Sequence, residues 1–335
     1  MSATRIAVLG AGFMGGTHAR AYAGRDDVEI AAIYAHSPER AEPLAAEVGS
    51  RWVDDLGAIL RDPSIEAVDI CLPTTSHREA FDAALEAGKH VLLEKPIALT
   101  EADARSMVAR AAESDRVVMI AHVLRFWPEY VEIKRIIESG ELGRPLAGLA
   151  ARRQPFPAWS KLFTQADLTG GAILDQMIHD YDAMNWMFGH PLSVAAAGML
   201  NPRSDGYDQT QVLIRYEEAS GLVDGGMMMP ESYPFTTRME VLCERGSIEH
   251  HFRAGGRSFE IGEPTNELTV YRNEGDPERI TVEQTDAYEN ETAYFIECVR
   301  AGRPALRATP QDALAALRVA LAATESAASG KAVVL

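Results

Sequence analysis

Short apolar runs alternate with predicted helices through the first third of the chain. Apolar runs of this length, bounded by turn residues, are typical of strands buried in a parallel sheet. The helices between them begin at capping signals such as Ser37-Pro38 and Thr100. Because single helices separate the strands, the pattern predicts an α/β fold with a parallel, doubly wound sheet. The predicted strands cover residues 6–9, 28–34, 67–72, 90–93 and 116–121.

After residue 121 the pattern changes to one rich in strands. A helix is predicted over 129–139, and strands dominate from about residue 145. Short turn signals such as Glu217-Glu218 separate them, which predicts an α+β domain with an open, mostly antiparallel meander. A helix rich in Ala and Leu is predicted from 310 to about 326. The predicted strands cover residues 146–154, 209–216, 219–229, 238–244, 267–272 and 279–284.

Length and charge limit the classes of function. A chain of 335 residues suggests two domains at about 150 residues each. The formal charge is −17, from 49 acidic and 32 basic residues, so the field repels phosphate backbones and anionic lipid. We expect no nucleic-acid partner and no membrane binding. The apolar runs are too short for a signal peptide or membrane span, and Cys71, Cys243 and Cys298 form no metal-like pair. These features predict a soluble, cytoplasmic protein.

A glycine-rich turn, Gly10-Ala11-Gly12-Phe13-Met14-Gly15, follows the first predicted strand. Between a strand and a helix, this G-x-G-x-x-G pattern predicts a dinucleotide-binding Rossmann domain. Gly10 permits the tight turn, Gly12 lets the backbone approach a pyrophosphate, and Gly15 lets the helix pack on the strand. The helix N-terminus offers amides to the phosphates. We expect this domain to cover 1–122 and a substrate-binding and oligomerisation domain to cover 123–335, its last helix a candidate to pack back on the first domain.

The end of the second predicted strand bears on the choice of cofactor. NAD-specific sheets carry an acidic residue there, whereas this chain has Ala35 and His36. Small Ala35 leaves room for a 2′-phosphate, which Ser37 and Arg40 are placed to bind by hydrogen bonds. The pattern favours NADP, with NAD as the alternative if Arg40 is only a solvated residue of the first helical turn.

Lys95 follows a short apolar strand, at the edge of the sheet where ligands gather. It forms Glu94-Lys95-Pro96, and Pro73, Thr74 and His77 follow the neighbouring strand at the same edge. We name Glu94, Lys95, Pro73, Thr74 and His77 as candidate cofactor contacts. Two alternatives stay open: Lys95 is a surface lysine whose stem covers the strand end, and His77 is structural.

An acid and a histidine follow the pair Gly170-Gly171 in the second half. A helix is predicted from this pair to about residue 187, which places Asp175 and His179 one turn apart on one helix face. Histidine pairs with this spacing bind zinc, but only with a third ligand, and none is evident, so we expect no metal. A solvated acid–histidine pair is the alternative.

Taken in order, these motifs resemble the Gfo/Idh/MocA family of enzymes like glucose–fructose oxidoreductase and inositol dehydrogenase. The resemblance covers nearly the whole chain. Ala172, Met177 and Cys243 stand where members often have glycine, which alters the pocket shape but removes no catalytic group. The matching motifs are Gly10-x-Gly12-x-x-Gly15, Pro73-Thr74-x-x-His77, Ala87-Gly88-Lys89-His90-Val91, Glu94-Lys95-Pro96, Arg125-Phe126-x-Pro128, Gly140-x-x-Gly143, Gly170-Gly171 with Asp175-x-x-x-His179, and Ser326 to Gly330.

The resemblance implies that His179 transfers the proton and that Lys95 and Asp175 complete the catalytic group. It implies an NAD(P)-dependent dehydrogenase or reductase acting on a secondary alcohol or ketone of a sugar, inositol or related polyol. A histidine has a suitable pKa for this proton, and an ammonium favours the developing alkoxide. Substrate and reaction direction stay open. Further candidates to face the sugar are Arg125, Trp159 and Tyr181.

The same motifs leave two other functions open and bear on the assembly of the protein. The same fold serves as a non-catalytic dinucleotide sensor or regulator, and some family glycosidases use bound NAD transiently. Apolar residues of neighbouring strands, Met227 to Met229, Val212, Ile214 and Val241, predict a sheet face that is either intramolecular core or covered by a second subunit. We expect a homodimer or homotetramer through the C-terminal sheet.

Overall fold

The alternating first third forms a six-stranded parallel sheet with the strand order β3-β2-β1-β4-β5-β6. We describe a computed structural model, which covers residues 3–158, 161–254 and 265–335. Each strand pairs in parallel with its neighbours; Leu9, for example, lies opposite Tyr34 on one side and Ile70 on the other. The strands are β1 (Thr4–Leu9), β2 (Val28–Tyr34), β3 (Trp52–Val53), β4 (Ala67–Ile70), β5 (His90–Glu94) and β6 (Val118–Ala121).

Helices connect these strands and pack on the sheet. Helix α2 begins at Pro38, and the Thr100 hydroxyl accepts a hydrogen bond from the Asp103 backbone N–H at 3.1 Å, so both predicted helix starts are confirmed. Tyr22 of α1 and Leu44 of α2 are buried in one core with Ile6 and Ile33 of the sheet. The helices are α1 (Phe13–Ala23), α2 (Pro38–Glu47), α3 (Leu56–Arg61), α4 (His77–Glu86) and α5 (Glu101–Ala112).

The chain divides into two compact units. Met1–Trp127 and Thr285–Leu314 make up the first unit, and Pro128–Gln284 and Ala315–Leu335 the second. Phe295 and Ile296 on the helix Ala287–Ala301 belong to the core of the first unit. The predicted domains, 1–122 for dinucleotide binding and 123–335 for substrate binding and oligomerisation, stay a prediction.

The second unit is built on a nine-stranded sheet with the order β14-β13-β12-β11-β7-β10-β9-β8-β15. Neighbours are antiparallel except β7 and β10, which pair in parallel; Leu222 therefore lies opposite Leu149 on one side and Leu213 on the other. The mostly antiparallel sheet is confirmed, but the simple meander is wrong because β7 is inserted between β10 and β11. The strands are β7 (Pro145–Pro155), β8 (Ser193–Leu200), β9 (Tyr207–Arg215), β10 (Ser220–Met229), β11 (Phe235–Cys243), β12 (Gly246–Ala254), β13 (Thr265–Arg272), β14 (Glu278–Ile280) and β15 (Val333–Val334).

One face of this sheet is buried and the other carries accessible apolar side chains. Along β9, Val212 and Ile214 are buried, whereas Leu213 is 50 % exposed. Leu242 on β11 is 52 % exposed and Met228 on β10 is 42 % exposed. The remaining helices are α6 (Pro128–Ser139), α7 (Ala166–Thr169), α8 (Gly171–Asp175), α9 (Ile178–Phe188), α10 (Ala287–Ala301) and α11 (Pro310–Ser329). In the described part of the chain, none of the helices combines the length and apolar content needed to cross a bilayer.

Candidate active site

The glycine-rich turn joins β1 to α1 in the first unit, and its three glycines differ in what surrounds them. Gly10 has a φ of +123°, and a Cβ there would lie 2.4 Å from the Cys71 carbonyl oxygen. A Cβ on Gly15 would lie 2.0 Å from the Gly10 carbonyl oxygen. Around a Cβ on Gly12, by contrast, no heavy atom of the described residues comes within 4 Å apart from the adjoining chain. Gly10 and Gly15 are therefore fixed by packing, while Gly12 leaves space beside the turn.

The start of α1 faces this space. Its N-cap is Gly12, which has no side chain to cap the helix. The first-turn amides of this eleven-residue helix are therefore left for a ligand at the turn. Phe13 is 66 % exposed although it is aromatic, and Met14 is half-buried. A cradle of amides beside a position without a side chain fits a pyrophosphate.

The end of β2 presents the residues considered for cofactor choice. Ala35 is half-buried, and His36, Ser37 and Arg40 are exposed. The Tyr34 hydroxyl lies 3.4 Å from the ring nitrogens of His36. Hydrogen bonds from its own backbone N–H and from the Ser37 hydroxyl lower the pKa of Glu39. Ser37 is therefore already engaged by an acidic neighbour.

Lys95 comes directly after β5 and is half-buried at the carboxyl edge of the sheet. The Glu94 Oε2 accepts a hydrogen bond from the Lys95 backbone N–H at 2.9 Å. His77 is buried below it, with Nδ1 2.9 Å from the Pro96 carbonyl oxygen and Nε2 2.9 Å from the Leu72 carbonyl oxygen. Burial lowers the pKa of His77. Its ring is thus engaged by backbone and links the β4–α4 loop, where Pro73 is exposed and Thr74 half-buried, to the lysine turn.

Beneath Glu94 lies a buried polar cluster that the sequence patterns did not single out. We call it the His18 cluster; it consists of His18, Asp69, Cys71, Glu94 and Glu291. His18 Nδ1 is 2.8 Å from Asp69 Oδ2, His18 Nε2 is 3.3 Å from Glu94 Oε1, and Glu291 Oε2 is 3.9 Å from His18 Nε2. The available signal was Asp69 itself, since a carboxylate inside an apolar strand requires a buried partner.

Three members of the cluster are also grouped closely enough to ligate a metal ion, namely His18, Asp69 and Cys71. Hydrogen bonds already account for their arrangement. Burial raises the pKa of the Cys71 thiol well above its ordinary value, which keeps the thiol protonated, and Cys71 Sγ donates to Asp69 Oδ1 at 3.2 Å. Metal binding requires the thiolate.

Arg125 and Tyr181, considered as sugar-facing residues, have internal partners. Arg125 is 4 % exposed, donates from Nη1 to the Arg307 carbonyl oxygen at 2.9 Å and lies 3.2 Å from Asp312 Oδ1 through Nη2. It fastens the segment before α11 within the first unit. Tyr181 is fully buried, and its hydroxyl is 3.7 Å from Met177 Sδ. Trp159, the third candidate, lies outside the described residues.

In the second unit, Asp175 and His179 are on two helices, so the expectation of one continuous helix is wrong. Asp175 ends α8, and His179 is the second residue of α9. The backbone amides of Gln176 and Met177 both donate to the Ala172 carbonyl oxygen, at 3.1 Å each. The second of these bonds spans five residues instead of four and interrupts the helical ladder. Sequence spacing therefore does not define the relative direction of the two side chains.

Accessibility sets these two residues apart from their surroundings. Across residues 171–184, all of which are described, Asp175 and His179 are half-buried and every other residue is buried. The segment is therefore part of the core, and Asp175 and His179 are its partly solvent-accessible residues. Neither residue belongs to a group of potential metal ligands among the residues described.

Long-range contacts hold this segment in place. Asp180, next to His179, is fully buried and forms an ion pair with Arg152 of β7, at 2.7 Å from Nε to Oδ2. Gly170 and Gly171 have φ values of +78° and +70°, and a Cβ on Gly206 would lie 3.2 Å from the Gly171 Cα. The glycine pair thus allows the turn before β9 to approach closely.

Comparison with known protein families covers both halves of the chain. The family model described as "Oxidoreductase family, NAD-binding Rossmann fold" matches residues 4–122. The model described as "GFO/IDH/MocA C-terminal domain" matches residues 130–249. Fold and turn therefore define an oxidoreductase with an NAD-binding Rossmann fold. The chain belongs to the Gfo/Idh/MocA family, which confirms the resemblance.

Several relatives match this chain along nearly its full length. It is 30 % identical over 344 residues to scyllo-inositol 2-dehydrogenase (NAD(+)) of Bacillus subtilis, covering 97 % of this chain and 94 % of the relative. It is 31 % identical over 337 residues to inositol 2-dehydrogenase 2 of Saccharopolyspora erythraea, covering 97 % and 93 %. The crystal structure of a putative myo-inositol dehydrogenase from Sinorhizobium meliloti 1021 superposes with a TM-score of 0.82 at 25 % identity, covering 99 % of each chain.

Proposed function

We propose that the protein transfers a hydride between the nicotinamide of NAD(P) and a secondary alcohol or ketone of a sugar, inositol or related polyol, with Lys95, Asp175 and His179 as its catalytic residues. The observation that carries this proposal is the pair of half-buried polar side chains, Asp175 and His179, in a segment whose other residues are buried. Relatives at 30 % and 31 % identity are named inositol 2-dehydrogenases, which supports the same substrate class.

The first unit fits a dinucleotide. The space beside Gly12 and the first amides of α1 suit its pyrophosphate, with Gly10, Phe13, Met14 and Gly15 completing the turn. Pro73, Thr74, Glu94 and Lys95 border the carboxyl edge of the sheet, where the nicotinamide half binds in folds of this type. In this proposal, His77 stabilises the turn that carries Lys95, through its contact with the Pro96 carbonyl oxygen.

A bound nicotinamide dinucleotide would supply the hydride acceptor for oxidation at the carbinol carbon. His179 accepts the proton of the substrate hydroxyl through a ring nitrogen as the carbonyl forms. The Lys95 ammonium stabilises the negative charge that develops on the same oxygen. Asp175 accepts a hydrogen bond from a neighbouring hydroxyl and so orients the ring of the polyol. In the reduction direction, His179 returns the proton.

We propose NADP as the preferred dinucleotide and keep NAD as the alternative. In favour of NADP, the end of β2 has no carboxylate at positions 35–37, Ala35 is small, and Arg40 is exposed near the expected 2′-phosphate. Two observations favour NAD: Ser37 is engaged by Glu39, and the Bacillus relative is named for NAD(+). Values of kcat/KM for the two cofactors decide between them, and Arg40→Ala should lower the value for NADP alone.

We also propose a homodimer or homotetramer through the sheet of the second unit. Its exposed face carries Leu213, Leu242 and Met228, and apolar surface of this kind is stabilised when covered. Light scattering with size-exclusion chromatography measures the assembly. Leu213→Glu with Leu242→Glu should lower the mass, and an unchanged mass would exclude this face.

The test of the function is a panel of inositols, sugars and polyols with NAD and with NADP, followed by the absorbance of the reduced nicotinamide. Net cofactor reduction by a free polyol supports the proposal and excludes both a non-catalytic sensor and a glycosidase that returns its hydride. Tight dinucleotide binding without turnover of any member, in either direction, would count against it. No observation favours the two rivals, and Lys95, Asp175 and His179 are all present.

A further inference from the structure

The buried imidazole of His18 on α1 contacts carboxylates of two strands, β4 and β5. His18 lies on α1, five residues after Phe13, and is fully buried. Its Nδ1 is 2.8 Å from Asp69 Oδ2 on β4, and its Nε2 is 3.3 Å from Glu94 Oε1 at the end of β5. The same helix begins at the glycine-rich turn, and Glu94 directly precedes Lys95.

The His18 ring suits a bridge between carboxylates. Burial alone would lower the pKa of His18, but the charge of Asp69 and its hydrogen bond, with help from Cys71, raise this pKa well above its ordinary value. The protonated ring carries a hydrogen on each nitrogen and can donate to both sides at once. Asp69 accepts the hydrogen of Nδ1, whereas Nε2 makes an ion-pair contact with Glu94 Oε1 at 3.3 Å and lies farther from Glu291 Oε2, at 3.9 Å.

The Glu94 carboxylate connects His18 to the backbone of Lys95. Its Oε1 faces His18, and its Oε2 accepts the Lys95 N–H at 2.9 Å. The residue is 6 % exposed, so its carboxylate has little water to replace a lost partner. Without the His18 Nε2 hydrogen, the carboxylate would have to move or take up a proton, and either change alters the acceptor of the Lys95 amide.

We propose that His18 is a positioning residue that couples the dinucleotide-binding helix α1 to the backbone of Lys95 through Glu94. Its effect on turnover rests on the proposed function, whereas its effect on the Lys95 amide does not. Because Glu94 pairs with His18 and also accepts the Lys95 N–H, a displacement of α1 is transmitted to the Lys95 backbone through one ion-pair contact and one hydrogen bond.

Two amide substitutions separate the two sides of the ring. The amide of His18→Asn takes the place of Nδ1, so it keeps a donor toward Asp69 and loses the one toward Glu94. The amide of His18→Gln reaches the place of Nε2, so it keeps a donor toward Glu94. A general contribution of His18 to stability predicts similar damage in both variants, while the positioning role predicts damage in His18→Asn and rescue in His18→Gln.

Hydrogen exchange of the Lys95 amide, resolved by NMR or by fragmentation in mass spectrometry, reads the link directly. In His18→Asn this amide should exchange at least about tenfold faster than in the wild type, as expected for a weakened charge-assisted hydrogen bond. In His18→Gln it should stay within about threefold. The amide of Asp103, which donates to Thr100 at the start of α5, is the internal control. Equal Lys95 exchange in the wild type and His18→Asn would overturn the proposal.

The kinetic arm uses the same variants. In His18→Asn, kcat should fall roughly 10- to 100-fold while the KM for polyol and the Kd for the preferred dinucleotide, measured by fluorescence, change by no more than about twofold. Equal losses in both amide variants would indicate a structural role and overturn the proposal. If the wild type turns over no polyol, the proposed function fails, and the exchange measurement still decides the role of His18.

A third variant guards against a failure of His18→Asn to fold. Glu94→Asp keeps the charge but shortens the side chain, so that one carboxylate no longer spans His18 Nε2 and the Lys95 amide. Faster Lys95 exchange in Glu94→Asp, with His18→Gln near the wild type, supports the link. Wild-type exchange in Glu94→Asp would overturn it.

Discussion

The two units place their candidate catalytic residues by different means. In the first unit, Lys95 directly follows a strand of a parallel sheet; Glu94 accepts its backbone N–H, and His77 contacts the carbonyl oxygen of the next residue, Pro96. In the second unit, Asp175 and His179 flank a break between two helices, and the ion pair of Asp180 with Arg152 fixes the nearby chain. The first arrangement depends on a local strand-and-turn pattern. The second depends on partners far away in the sequence.

Loss of a catalytic side chain should have the largest effect, and it should lower kcat/KM whichever unit carries the residue. We expect His179→Asn and Lys95→Met each to lower kcat/KM about 10²- to 10⁴-fold, because the first removes the proton acceptor and the second a charge that stabilises the alkoxide. Dinucleotide Kd, measured by fluorescence titration, should change little. Steady-state kinetics with the best polyol of the panel provide the measurement.

Matched controls keep this result specific. His190 and Lys331 are exposed residues of the same types, and His190→Asn and Lys331→Met should leave kcat/KM within about twofold. If His179→Asn and His190→Asn were equally active, the assignment of the proton-transfer residue would be wrong.

The difference between the units explains which features the sequence made predictable. Gly10, Gly12 and Gly15 stand at fixed positions between a strand and a helix, so their turn followed from the local pattern. The strand before Lys95 followed from the short run at residues 90–93, three of which are apolar. The break at Gln176 and Met177 did not, since no glycine or proline marks it. The strand β12 was missed because Glu249, His250 and His251 hide its alternation. The His18 cluster joins four separate elements, and no local pattern reveals such contacts.

The anchor of the second unit should matter next most. Asp180→Asn removes the charge that pairs with buried Arg152, which should lower the free energy of unfolding by about 3 kcal/mol. We expect kcat to fall as well, because Asp180 adjoins His179. Urea unfolding followed by circular dichroism measures the stability.

An exposed ion pair provides the comparison. Arg238 and Glu249 are partly solvent-accessible, so Arg238→Met should cost less than about 1 kcal/mol. A similar loss in Arg238→Met and Asp180→Asn would mean that burial is not what makes the Asp180 pair important.

Two glycines of the turn in the first unit, Gly12 and Gly15, should differ in whether they affect stability or cofactor binding. Gly15→Ala should lower the free energy of unfolding by about 2–3 kcal/mol, because its Cβ would overlap the Gly10 carbonyl oxygen. Gly12→Ala should leave stability within about 0.5 kcal/mol, since among the described residues its Cβ meets nothing, and should instead weaken dinucleotide binding. Thermal unfolding and fluorescence titration of both variants measure the two effects. Unchanged cofactor affinity in Gly12→Ala would exclude the space beside the turn as the pyrophosphate site.

The smallest expected effect is a dependence of stability on pH that belongs to the first unit. The pKa of folded His18 is raised well above the value of about 6.5 that a free histidine has. Its contribution to the free energy of unfolding is therefore fully present below about pH 6.5 and is lost as the pH rises through the higher folded value. The titratable groups that face the ring include Asp69, Cys71, Glu94 and Glu291, and the ring of Tyr288 on α10 lies 6.1 Å away between centroids. We expect the stability difference between the wild type and His18→Gln to be largest near pH 6 and to shrink at each step toward pH 9, as measured by urea unfolding. His190→Gln, at an exposed position, should show no such trend. A difference that grows as the pH rises would mean that the buried ring is neutral, and the first unit would then hold Glu94 without a positive charge beside it.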